Sequence, residues 1–257
     1  MEKIIAIVHY NTPRLTECLV MSINKFVEDA KIYIFDNSDK YPFSKHFENV
    51  TILDNTKGQI VNFDEWLKKY PNRNKSQTFS SAKHCYSVEK CMDIINKPFV
   101  LMDSDILIKR NIDDLFNTDY MWIAETANQN VSNFRHIHRV LPYICFINTN
   151  MCKENNIHFF NENLMLGLVA GWKDKQYDTG ASFLHDTQNF PHKKIKVSSY
   201  AEHFGSASWP GFKSQKTVDG WINKHKNLWS DSTPHPQNKT PNLAKTSDLG
   251  FWTNLDY

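Results

Sequence analysis

The chain predicts an α/β protein: a mostly parallel, doubly wound sheet flanked by helices, followed by a smaller region of mixed strands. Three observations carry that reading. Short apolar runs alternate with stretches of helical periodicity through the first hundred residues, several of those runs end in polar turn residues, and the second half loses this regularity. Strands separated by helices pair in parallel through right-handed crossovers.

The elements follow in order. Ile4-Ile5-Ala6-Ile7-Val8 is a continuous apolar run, the pattern of a strand covered on both faces. Thr12 and Pro13 supply an N-cap and a first helical position, and Leu15, Cys18, Leu19, Ile23 and Phe26 recur behind them at helical spacing. A second strand, Ile32-Tyr33-Ile34-Phe35, runs into Asp36-Asn37-Ser38-Asp39, and a third, Val50-Thr51-Ile52-Leu53, ends at Asp54-Asn55. Two helical patterns come next, one through Phe63, Trp66 and Leu67, the other through Ala82, Cys85, Val88, Met92 and Ile95, with Pro98 closing it. Phe99-Val100-Leu101-Met102 then leads directly into Asp103-Ser104-Asp105.

Beyond that point Met121–Ala124 and Tyr143–Ile147 read as strands and Ile195-Lys196-Val197 as a weaker one. Residues 214–226 read as a helix carrying Val218, Trp221 and Ile222. From about Ser230 the chain holds Pro234, Pro236 and Pro241 among many polar residues and reads as an irregular tail, whose Phe251, Trp252 and Tyr257 are placed to pin its end to the body. The expected organisation is a ligand-binding half over 1–110, a second half of the same domain over 111–229, and the tail over 230–257.

Composition narrows the function classes. Of 257 residues 40% are hydrophobic and 23% charged, which excludes collagen-like, coiled-coil and largely disordered chains. Lys+Arg is 30 against Asp+Glu 28, a net charge of +2, so no nucleic acid is expected as partner. No run approaches the roughly 20 apolar residues of a membrane span. MEKIIAIVHYNTP lacks the shape of a signal peptide, and the five cysteines (Cys18, Cys85, Cys91, Cys145, Cys152) include no CxxC pair. The expectation is a cytoplasmic protein with reduced thiols.

Asp103 and Asp105 are the most informative residues. Ligands of open α/β sheets bind beyond the carboxyl ends of the strands, and a carboxylate pair at i and i+2 leaving a strand can share one ligand. A divalent cation relieves their repulsion, and hard oxygen donors suit Mg²⁺ or Mn²⁺, ions that also bind substrate phosphates. The predicted site is therefore a metal–diphosphate site. Parallel strands share their carboxyl edge, so His9-Tyr10-Asn11-Thr12 and Asp36-Asn37 belong to the same rim. Asp36 is placed to accept a hydrogen bond from a nucleobase imide or a ribose hydroxyl, whereas Asn37 serves equally well as a turn residue.

HYNTPRLTECLVMSI, then IYIFDNSD, then FVLMDSD resembles, over residues 1–110, the nucleotide-binding half of the GT-A glycosyltransferases, and within that fold is most similar to the family-2 enzymes. The resemblance implies a nucleoside diphosphate sugar as donor and a saccharide or lipid-linked saccharide as acceptor. Carried over by motif, Asp36 holds the nucleobase, Asp103 the ribose or the metal, and Asp105 the metal bridging the diphosphate. Tyr10, Asn11, Thr12 and Asn37 line the donor site with them. Lys83, within Ser81-Ala82-Lys83-His84, stands where the family places a basic residue near the nucleotide, although an exposed helix lysine explains it as well. His203, in Glu202-His203-Phe204-Gly205, resembles the late histidine that many such enzymes add as a metal or phosphate ligand. The chain departs from the family in having only eight glycines and no Glu-Asp pair before an acceptor helix.

Transfer with inversion needs a general base to take the acceptor's proton. Similar enzymes carry theirs where this chain has Tyr177–Asp186, which makes Asp178 and Asp186 the candidates. Asp178 is equally explained as the N-cap of a helix through Phe183 and Leu184. His136-Ile137-His138, between Arg135 and Arg139, reads as a solvated or acceptor-facing loop. Trp209 and Trp221 are placed to stack on a sugar or to pack in the core. Seven lysines between His192 and Lys226 form a solvated face, or else one that touches the inner leaflet of an anionic membrane. Two other classes stay open: a nucleotide-sugar-binding protein without turnover, and a metal-dependent phosphoryl-transfer enzyme, for which Leu107 departs from the usual DxDx[TV] context.

Overall fold

A computed structural model describes residues 1–57, 65, 68–69, 75–129, 137–172, 177–205, 214–230 and 242–245. The strands are β1 (Ile4–His9), β2 (Lys31–Asp36), β3 (Val50–Asp54), β4 (Phe99–Asp103), β5 (Ile106–Ile108), β6 (Trp122–Gln129), β7 (Ile137–Ile147), β8 (His192–Lys194), β9 (Ala201–His203) and β10 (Asn242–Lys245). The helices are α1 (Pro13–Phe26), α2 (Lys75–Ile95), α3 (Thr149–Glu154), α4 (Glu162–Leu166), α5 (Ala181–Thr187) and α6 (Gln215–Lys224). This is the α/β architecture of parallel strands and flanking helices that the sequence predicts, with a mixed second part.

Contacts divide the chain into two units, each assembled from separated segments: Met1–Gln59 with Asp103–Asp113 and Tyr200–Tyr257, and Ile60–Met102 with Asp114–Ser199. In the first, β1, β2, β3 and β10 pair in parallel in the order β10-β3-β2-β1. Register sets Ile5 against Ile32 and Ile7 against Ile34, and these side chains are at most 1% exposed. A second small sheet pairs β5 with β9 antiparallel, Ile106 opposite His203. Leu15 and Cys18 of α1 meet Leu107, Ile222, Leu228 and Trp229 in one apolar cluster, which holds α6 and the β5–β9 pair against α1. Burying each such side chain is worth about 1.5–3 kcal/mol, so the cluster anchors the turn that precedes β5.

In the second unit β7 pairs antiparallel with both β4 and β6, and β8 runs parallel to β6. Phe99, Val100, Leu101 and Met102 are all fully buried, as expected of a strand covered on both faces. Helix α2 ends at Ile95, and Asn96 takes the left-handed conformation (φ 53°) just past it.

Several expectations change. The late strand lies at His192–Lys194, and Val197 opens a 3-10 turn instead. The reason is pairing: Trp122 and Ala124 of β6 meet His192 and Lys194 in register. Asn242–Lys245 of the expected irregular tail is a strand beside β3. Arg139 stands buried within β7 and not in a solvated loop. All five cysteines are buried free thiols. The helical pattern through Phe63, Trp66 and Leu67, and also His136, Trp209, Phe251, Trp252 and Tyr257, lie outside the described residues.

Candidate functional site

The rim of the first unit begins where β1 stops. Thr12 occupies the N-cap position of α1 with Pro13 behind it, yet its hydroxyl caps nothing. It lies 2.8 Å from Ser104 Oγ, in the middle of the Asp103-Ser104-Asp105 turn, and 3.5 Å from His9 Nδ1. Asn11, at φ 55°, takes the left-handed backbone that asparagine tolerates. Its side chain accepts the backbone N–H groups of Lys40 and Tyr41 and donates to Asp39, and its own N–H donates to Ser38 Oγ. Tyr10 adds a hydroxyl bond to Asp39. Burial and the Asp39 carboxylate together push the Tyr10 phenol up from its ordinary value.

Asp36, only 1% exposed, holds the loop from beneath. Its two carboxylate oxygens accept the N–H groups of Ser38 (2.9 Å) and Phe43 (2.7 Å). Asn37 donates its N–H to the His9 carbonyl and accepts the Asn55 amide at 2.7 Å. Asp36 and Asn37 thus build the loop 36–43, a role that the sequence offers alongside nucleoside binding.

Across the rim, Asp105 Oδ1 lies 3.4 Å from His203 Nε2, and the Asp105 carbonyl accepts the N–H of Phe204. Two elements distant in sequence meet because β5 and β9 pair: Asp105 precedes β5 and His203 closes β9. Their side chains are 10% and 26% exposed, open enough for a ligand. Among the described residues no three His, Cys, Asp or Glu side chains converge on one point. One carboxylate and one neutral imidazole nevertheless fit Mn²⁺ or Mg²⁺, ions that keep several waters and fill the rest of their shell with substrate phosphate oxygens. Asp103 is half-buried at the end of β4.

The second unit carries the other candidates. Asp178, 8% exposed, is not a helix cap: α5 begins at Ala181 behind Gly180, which lacks a capping side chain. Asp178 Oδ1 accepts from Ser81 Oγ (2.9 Å) and from the N–H of Thr179 (2.7 Å), while Oδ2 lies 3.5 Å from Arg139 Nε. Arg139, 5% exposed, also donates to the Thr179 carbonyl. Gly180 permits this approach, because a Cβ there would stand 2.1 Å from the Val140 carbonyl oxygen. Asp186 accepts from Asn161 Nδ2 and pairs with His185. Lys83 sits half-buried on α2.

Ser104, Ser38, Ser81 and Arg139 stand inside or beside segments that the sequence singles out, but the sequence gives none of them a role of its own. His9 was visible only as part of the rim.

No family model and no curated protein matches this chain. Among solved structures it is similar to the galactosyltransferase LgtC in complex with donor and acceptor sugar analogues, at 10% identity and TM-score 0.49, covering 91% of this chain and 98% of that one. An active-site mutant of LgtC matches at TM-score 0.50 with the same identity. The glycosyltransferase GlyE of Streptococcus pneumoniae TIGR4 matches at TM-score 0.45 and 10% identity over 90% of this chain, which spans 52% of GlyE. What the likeness to the LgtC mutant shows is the fold: a mixed α/β architecture shared with glycosyltransferases.

Proposed function

We propose that this protein is a glycosyltransferase that takes a sugar from a nucleoside diphosphate donor and passes it to a saccharide or lipid-linked saccharide. The observation that carries the reading is the Thr12–Ser104 hydrogen bond, which joins the loop after β1 to the acidic turn after β4 in one rim. Tyr10, Asn11 and Thr12 then face the nucleoside together with the loop that Asp36 and Asn37 shape, and Asp103 takes the ribose or shares the cation. Asp105 and His203 are the residues that would hold Mn²⁺ or Mg²⁺. The chemistry such an ion supplies is charge neutralisation on the departing diphosphate. Lys83 is the further cation proposed near the phosphates. The three motifs that suggest the family-2 enzymes favour inversion.

Asp178 is the proposed base, with Asp186 the second candidate. Both oxygens of Asp178 already face donors, which favours instead a fixed carboxylate that orients substrate. A retaining transferase needs no such base, so the anomeric configuration of the product separates the two readings.

The test is hydrolysis or transfer from a panel of nucleotide sugars with and without Mn²⁺. Turnover that depends on the metal and disappears in Asp105→Ala supports the transferase. Binding of the nucleoside diphosphate without turnover would leave a nucleotide-sugar-binding protein, and release of inorganic phosphate from a phosphomonoester would favour phosphoryl transfer.

A further inference from the structure

His9 ends β1 in the middle of the rim, fully buried, and both of its ring nitrogens have partners. Nε2 lies 3.3 Å from the Tyr41 carbonyl oxygen, which can only accept, so Nε2 carries the proton. Asp36 Oδ1, 3.9 Å from the same nitrogen, faces that proton too. Nδ1 is then the bare acceptor, with the Thr16 hydroxyl at 2.8 Å and the Thr12 hydroxyl at 3.5 Å. Phe43 closes the ring's edge, with centroids 6.0 Å apart.

We propose that His9 is the positioning residue of this rim, a neutral imidazole tying the loop 36–43 to the start of α1 and, through Thr12 and Ser104, to the turn carrying Asp103 and Asp105. Its purpose rests on the nucleotide-sugar reading, while its geometry does not. Three chain segments meet at His9; the β1–β2 ladder joins two of them through backbone as far as His9 and Asp36, and the His9 ring carries the connection on to Tyr41 and to α1. A rigid ring with a donor on one side and an acceptor on the other bridges them at a fixed spacing. Leucine fills similar space but leaves the Tyr41 carbonyl and the Thr16 hydroxyl unpaired. Asparagine reaches only as far as Nδ1 and keeps the Thr16 side, whereas glutamine reaches as far as Nε2 and keeps the Tyr41 side.

The experiment is amide hydrogen exchange on the full chain and on His9→Asn, His9→Gln and His9→Leu. The reporters are the Ser38 and Phe43 N–H groups, held by Asp36, and the Thr16 and Phe204 N–H groups, held by the Thr12 and Asp105 carbonyls. His9→Asn should speed exchange at Ser38 and Phe43 about fivefold or more, His9→Gln should do so at Thr16 and Phe204, and His9→Leu at all four. A pattern in which the asparagine and glutamine variants act alike means that His9 only packs, and overturns the proposal. A long-range ¹⁵N–¹H spectrum of the wild type checks it without any variant: Nε2 protonated and Nδ1 bare supports it, and the reverse tautomer sinks it.

Calorimetry with UDP, GDP, CDP and ADP in the presence of Mn²⁺ separates the two readings. If the wild type binds none of them, the nucleotide-sugar reading fails and the exchange pattern still judges His9. If it binds one, His9→Leu should weaken that affinity about tenfold, roughly 1.4 kcal/mol. Unchanged affinity would reject the positioning role.

Discussion

Thr12 Oγ1 and Ser104 Oγ lie 2.8 Å apart across 92 positions of sequence, both buried. An N-cap hydroxyl that turns away from its own helix loses a favourable local bond, so the long-range one must be worth more to the fold than the cap. Thr12→Val should destabilise by about 1–3 kcal/mol in urea unfolding by taking the partner from the buried Ser104 hydroxyl, and Ser104→Ala by less, because Thr12 keeps His9 Nδ1 at 3.5 Å. The double variant should cost less than the sum of the two; strict additivity would mean that the bond contributes nothing.

Asp105 and His203 meet through β5 and β9 and give the cation prediction its shape. At a hundredfold excess over Kd, a nucleoside diphosphate with Mn²⁺ should stabilise the wild type by about 2.7 kcal/mol. Asp105→Asn should abolish the increment added by Mn²⁺, and His203→Gln should reduce it. A metal response equal to wild type in both variants would place the cation elsewhere.

Gly180 and Gly171 make a matched pair. Both have positive φ, but a Cβ at Gly180 meets the Val140 carbonyl oxygen at 2.1 Å, whereas at Gly171 it meets nothing within 4 Å. Gly171→Ala should cost about 1–2 kcal/mol, the left-handed penalty alone. Gly180→Ala adds a backbone clash and should cost well over that, with loss of soluble protein as the visible outcome. Equal melting temperatures in the two variants would refute this account of the β7–α5 junction.

Two histidines should bend the pH dependence of stability in opposite senses. Burial lowers the pKa of His9 from its ordinary 6.5, although Asp36 and the Tyr41 carbonyl pull it upward. The unfolded chain therefore binds a proton that the folded one refuses: the contribution is complete above about pH 6.5 and is lost as pH falls toward the depressed value. His158 is raised, first by its hydrogen bond to Glu89, so its contribution is complete below about pH 6.5 and is lost as pH rises through the raised value. Urea titrations from pH 5 to 8 should show His9→Gln flattening the acid side and His158→Gln the neutral side, the latter effect small because His158 is largely exposed.

Asp178 and Arg139 form a buried ion pair, so Asp178→Ala should destabilise by about 3–5 kcal/mol by leaving the guanidinium uncompensated. Asp178→Asn keeps the oxygen that Ser81 and Thr179 use and is the better probe of chemistry. If Asp178 is the base, this variant should lose kcat by a factor of about 10² or more with donor affinity intact. Retention of kcat would assign Asp178 to structure.

Much of the fold was legible in the chain because parallel strands and amphipathic helices announce themselves locally. The run Ile4–Val8, the periodicity from Leu15 to Phe26, and Phe99–Met102 each carry their own burial pattern. The strands at His192–Lys194 and Asn242–Lys245 carry none. The first is wholly polar and the second sets only Leu243 and Ala244 between Asn242 and Lys245, too short a run to read as a strand; both are strands through their pairing with β6 and β3. The acidic turn could be placed on a rim from sequence, since strand direction alone dictates it.

Tertiary structure decided the partners. The Thr12 side chain is the same hydroxyl whether it caps α1 or reaches Ser104, and Asp178 the same carboxylate whether it caps α5 or answers Arg139. In both places local propensity favours the nearer bond by about 1 kcal/mol, and a buried partner outweighs it because an unpaired polar group in the interior costs more. The sequence by itself determined which strands end in polar residues and on which edge. Packing alone chose which of those residues touch.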